Sequence, residues 1–160
     1  MPTEILYSGK DCKWGYSASL HDDTIKWFKL LLVDIDDVGL LEDIRECNQI
    51  KEAKALLEKH HKSAEEVISD YLRLLWNHSI DSISSDRGGP EYMAHPFRVV
   101  LTVPAIWRHK ALKKMRKAAT DAGILNERSA GKTKLYLISE PEAAALATFA
   151  DFEKRTDIKV

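Results

Sequence analysis

The chain has 160 residues, 44% of them hydrophobic and 31% charged, with a formal net charge of −1. That is chain enough for one domain burying roughly two-thirds of its unfolded surface, and so even a charge balance excludes global attraction to nucleic acid or anionic lipid. No apolar run approaches the roughly 18 residues of a bilayer span, Met1-Pro-Thr-Glu lacks the basic and apolar regions of a signal peptide, and Cys12 and Cys47 form no C-x-x-C spacing. The expectation is a soluble, cytoplasmic protein with free thiols and no membrane partner.

From the N-terminus, Thr3-Glu-Ile-Leu-Tyr7 alternates as a strand does, and the turn residues Ser8-Gly-Lys-Asp11 precede Lys13-Trp-Gly-Tyr16, which predicts a hairpin. Residues 34–62 are charged. Their acidic cluster of Asp34, Asp36 and Asp37 lacks the glycine and distant glutamate of a calcium loop, so it reads as a solvated helix end. His60 and His61 are adjacent and point in different directions on a helix, which predicts exposed histidines rather than a metal pair. Ser63-Ala-Glu-Glu66 is a capping box, and Ala64, Val67, Ile68, Tyr71, Leu72 and Leu75 form a core-facing stripe. The Ser/Gly/Pro stretch over residues 82–90 reads as a loop. It divides a hairpin and helical subdomain, residues 1–90, from residues 91–160.

In the second part the period changes. Val99, Val100, Leu101 and Val103 form a β-branched run of strand length, while Ala111, Leu112, Met115, Ala118, Ala119 and Ala122 recur at helical spacing. Gly123 stops that helix, Leu135-Tyr-Leu-Ile138 is a second strand, and Pro141 suits the start of a last helix. Two strands joined by such a helix are parallel with a right-handed crossover, so the fold class is α/β. Glu140 then lies at a strand's C-terminal end and a helix's N-terminus, where ligand crevices open in α/β sheets. Gly131-Lys-Thr133 echoes the end of a phosphate loop, yet Asn126 stands where the first glycine belongs and a strand follows, so it is rejected. Arg108, Lys110, Lys113, Lys114, Arg116 and Lys117 lie off the apolar stripe. They read as a solvated face, or as the surface of a non-enzymatic protein-interaction module meeting an acidic partner through the basic helix 108–117. Without interleaved aromatics to stack bases, that face does not favour nucleic acid.

Three motifs in order carry a family resemblance. Leu101-Thr-Val-Pro-Ala-Ile-Trp107, the helix end Ala118-Ala-Thr-Asp-Ala-Gly123 and Ser139-Glu-Pro-Glu-Ala-Ala-Ala145 resemble the 70 kDa heat-shock chaperone family. The extra helical turn between Pro104 and Gly123 is similar to its diverged, actin-like ATPase branch. The resemblance implies part of a ribonuclease H-like ATPase lobe, with ATP and Mg2+ as ligands of the complete domain and unfolded clients or co-chaperones as partners in a stress response. It implies a helix over residues 23–32, with the family's threonine on Thr24 and its catalytic lysine on Lys29, beside the terminal phosphate. The glutamate beside hydrated magnesium falls on Glu140, and the allosteric relay proline on Pro104. The relay's arginine partner falls on Leu112 or Arg116, depending on the direction of counting. Neither of the family's glycine-rich phosphate loops, Asp-x-Gly-Thr-Thr and Gly-Gly-Gly-Thr-x-Asp, occurs in these residues. The 160 residues alone are therefore expected to be inactive, a portion of a nucleotide-binding lobe whose lineage couples ATP hydrolysis to protein folding.

Overall fold

A computed structural model describes residues 1–9, 11–33, 47–86 and 88–154; the acidic cluster of Asp34, Asp36 and Asp37 lies outside them. The predicted hairpin forms from β1 (Ile5–Ser8) and β2 (Asp11–Trp14), antiparallel with Ile5 opposite Trp14 and Ser8 opposite Asp11. Its turn enters through Gly9, whose φ of 62° suits glycine. The helix expected over residues 23–32 does not form. Ile25 is drawn into an antiparallel bridge with Ile5, and Trp27 takes a left-handed φ of 61°, which a right-handed helix cannot contain. Only a 3-10 turn, Phe28–Leu32, remains. Phe28 and Leu32, four apart, sink into the core.

Helices α1 (Asn48–Lys59) and α2 (Ala64–Ser85) follow, then the short α3 (Gly89–Met93). The capping box closes as expected: the Ser63 hydroxyl accepts from the Glu66 N–H at 3.2 Å, and Glu66 Oε2 accepts from the Ser63 N–H at 2.8 Å. Helix α2 continues through residues 82–85, which the sequence marked as loop. Its serines fold back on the helix, with Ser79, Ser82 and Ser85 donating to the carbonyls of Leu75, His78 and Asp81, four residues earlier, so their hydroxyls are satisfied within the helix. His60 also departs from expectation. Its Nε2 is buried, and its ring lies 5.4 Å from that of Tyr7, whereas His61 is exposed.

The second part matches its predicted order: β3 (Arg98–Val103), α4 (His109–Asp121), β4 (Lys134–Ser139) and α5 (Glu140–Lys154). Strands β3 and β4 are parallel, in register from Arg98 opposite Lys134 to Val103 opposite Ser139. Gly123, at φ 85°, ends α4 in the left-handed region. Alternation sends Val103 and Leu135 inward, while Val100 and Tyr136 face outward and stay exposed. Helix α2 packs on α4, and one core joins Ile5, Phe28, Val67, Tyr71, Met115 and Leu135. This is a mixed α/β fold with a parallel strand pair, compatible with part of an actin-like fold. Among the described residues, no helix is long and apolar enough to cross a membrane.

Candidate functional site

Lys29 and Glu140 meet. Lys29 Nζ lies 2.6 Å from Glu140 Oε1 and donates to the carbonyl oxygen of Thr102 at 3.1 Å. Burial of Phe28 and Leu32 fixes the 3-10 turn, which leaves Lys29 on its outer side against the end of β3. Glu140 begins α5 immediately after β4. Glu140 does not cap its own helix: the Ser139 hydroxyl accepts from the Glu142 N–H at 3.3 Å, and the Glu140 carboxylate goes to Lys29. The Lys29 ammonium also lies 5.8 Å from the centre of the Trp107 ring.

A cavity of about 420 Å³ opens beside this pair, lined by Thr3, Glu4, Lys26, Trp27, Pro104 and others as well as Lys29 and Glu140. Its size is that of a small-molecule site. The three residues singled out in the sequence, Lys29, Glu140 and Pro104, thus line one cavity. Thr24 does not join them: it is buried, and its hydroxyl donates to the Ala18 carbonyl. For the relay's partner position, Leu112 packs against the core while Arg116 is exposed. Glu4, Lys26 and Trp27 were missed. Nothing in the local pattern marked them, because a strand alternation and a helix periodicity both assign them to surfaces unrelated to Lys29.

Can these residues hold a divalent cation? Among the described residues, no group of three or more His, Cys, Asp or Glu is gathered for a metal. Magnesium keeps most of its waters, however, and needs only one or two carboxylates beside substrate phosphates. Glu140 and Glu4 supply two, and Glu4 Oε2 is buried with no hydrogen-bond partner. The donor set fits a hydrated cation brought by a phosphate ligand, and not a caged one.

Two other charged regions have structural partners. On α4, Lys114 donates to the Leu32 carbonyl at 3.3 Å, Lys117 pairs with Asp121, and Arg108 and Lys110 are also engaged. On α2, Asp70 Oδ2 accepts from the Tyr7 hydroxyl at 2.8 Å and from Lys62 at 2.7 Å, while Arg73 lies 3.1 Å from Oδ1. Burial opposes ionisation of Asp70, but the bonds from Lys62 and Tyr7 and the charges of Lys62 and Arg73 outweigh it and hold its carboxyl below the usual range. Burial and the Asp70 bond push the Tyr7 hydroxyl well up. Burial, then the Asp70 charge, also raises the Cys12 thiol.

No protein-family model matches the chain, and no solved structure matches it. It is similar to heat shock 70 kDa protein 12A of Homo sapiens, 30% identical over 158 residues, an alignment covering 91% of this chain and 22% of that protein. The same protein of Mus musculus matches with the same identity and coverage. The relationship to this 70 kDa heat-shock protein is distant. The chain spans less than a quarter of the length of the curated relatives it matches.

Proposed function

We propose that the chain is part of the first lobe of a ribonuclease H-like, actin-like ATPase of the 70 kDa heat-shock kind, with Lys29 and Glu140 at the phosphate end of its nucleotide site. The observation that carries this is their 2.6 Å contact, made between residues 111 apart in sequence beside a 420 Å³ cavity. Phosphoryl transfer asks the protein mainly for positioning and charge neutralisation. In this reading Lys29, anchored by the Thr102 carbonyl, directs a donor at a terminal phosphate oxygen. Glu140 orients Lys29 and accepts from a water beside the phosphate. Magnesium, when bound, would neutralise charge on the phosphates.

Pro104, at the cavity's edge after β3, is the proposed relay towards a client-binding region of a complete protein, with unfolded chains or co-chaperones as its partners and the cytoplasm as its location. Supporting this are the order of the three motifs and the distant similarity to a heat-shock protein. Hydrolysis is assigned to a complete lobe, in which glycine-rich loops supply the backbone N–H groups that cradle phosphates.

Isothermal titration with Mg-ATP, on this chain and on an extended protein that supplies both loops, tests the reading. The extended protein is expected to bind and turn over ATP, with Lys29→Ala and Glu140→Ala each lowering turnover about a hundredfold. Absence of binding by the extended protein, or turnover indifferent to both substitutions, sinks it.

A further inference from the structure

Three residues before Lys29 stands a second lysine, and the backbone between them turns both to the same cavity. In an extended chain, residues i and i+3 lie on opposite sides. Trp27 breaks that path, at φ 61° and ψ 6°. A left-handed residue with a side chain costs roughly 1–2 kcal/mol, and it persists where the surroundings over-determine it. Here the Ile5–Ile25 bridge fixes the chain before Trp27. The bond from the Leu30 N–H to the Trp27 carbonyl, at 2.9 Å, fixes it after. The same bridge sets Glu4 across from Lys26. Trp27 itself is 55% exposed at the cavity wall, so burial of its ring does not account for the strain.

The two lysines differ in what they have left to give. Lys29 commits one N–H to Thr102 and another to Glu140. Lys26 Nζ lies 3.5 Å from Glu4 Oε1, outside the 2.7–2.9 Å typical of a charge-assisted bond, and its side chain is 44% exposed. Such a pair holds Lys26 weakly, so an anion can draw it away. Glu4 Oε2, buried without a partner, is an acceptor that lacks a donor. The cavity therefore carries two donors, Lys26 and Lys29, and two acceptors, Glu4 and Glu140. A hydrated divalent cation on a polyphosphate is the complement of that set: its phosphate oxygens accept and its metal-bound waters donate.

Building on the site reading above, we propose that Lys26 and Glu4 form a second donor–acceptor pair of the site, Lys26 binding a phosphate oxygen and Glu4 accepting from a water on the accompanying cation. Titration of the chain with inorganic tripolyphosphate, with and without Mg2+, followed through the indole N–H resonances in NMR, tests it. The chain is expected to show a saturable shift. Lys26→Ala should weaken binding about tenfold in either condition, and Lys26→Arg should restore it. Glu4→Gln should remove most of the gain from Mg2+ while leaving Mg2+-free binding no weaker. Affinity within twofold of wild type for Lys26→Ala, or a Mg2+ gain unchanged in Glu4→Gln, overturns the proposal. If Lys29→Ala abolishes binding while Lys26→Ala does not, this inference fails and the Lys29–Glu140 reading stands. No saturable shift with the unaltered chain overturns it at the outset, and the Mg-ATP titration of the extended protein then decides the earlier reading separately.

Discussion

A partly exposed ion pair such as Lys29–Glu140 contributes about 0–1 kcal/mol, too little to explain why the chain brings these two residues together. Its meaning is positional. Asp70 is the opposite case, since three partners from β1, the α1–α2 turn and α2 converge on a half-buried carboxylate. Asp70→Asn is expected to destabilise the chain by about 2 kcal/mol at neutral pH, measured by urea unfolding. Because the folded state depresses the Asp70 pKa, the contribution is present above the unfolded value and lost as pH falls through the folded one. The difference between wild type and variant should therefore shrink as pH falls below the ordinary aspartate range. A gap that stays constant with pH would show that the charge is not what Asp70 contributes. Lys29 and Glu140 were legible because short motifs carried them. Lys26 and Glu4 were not, because their nearness depends on one left-handed residue and one backbone bridge.

At the scale of elements, capping and periodicity were reliable wherever a local rule had no tertiary competitor. The Ser63–Glu66 box, the α4 stripe and the Gly123 stop all formed as read. The helix expected over residues 23–32 failed because pairing of Ile25 with Ile5 gave that backbone another partner. The loop expected over residues 82–90 was partly wrong because serines at i−4 spacing can satisfy themselves within a helix. Helix α2 ends at Ser85, and Gly89 opens α3 so close to it that an added Cβ would collide with the carbonyl oxygens of Ser84 and Ile83. Backbone atoms cannot move aside as side-chain ends do. Gly89→Ala is therefore expected to cost about 1–3 kcal/mol and to loosen the α2–α3 junction, read as faster amide exchange there. Stability equal to wild type would mean that the junction is softer than its packing implies.

For the molecule as a whole, the unusual feature is what stays uncovered. Parallel strands are normally covered on both faces, yet Val100 and Tyr136 face outward here, and α5 exposes Leu146, Phe149 and Phe152. The chain is expected to self-associate at high concentration, and Leu146→Glu with Phe149→Glu to reduce this, as sedimentation velocity would report. A chain that stays monomeric throughout would contradict that expectation. By itself the sequence determined the element order of the second part, the parallel pairing and the hairpin, because each is written in spacing along a few residues, whereas Lys29 and Glu140 were singled out through a family resemblance. Only the tertiary structure decided that Lys29 would touch Glu140, that Trp27 would turn Lys26 to the same cavity and that Asp70 would gather Tyr7, Lys62 and Arg73. Such contacts join residues up to 111 positions apart, and no local period encodes a distance in space.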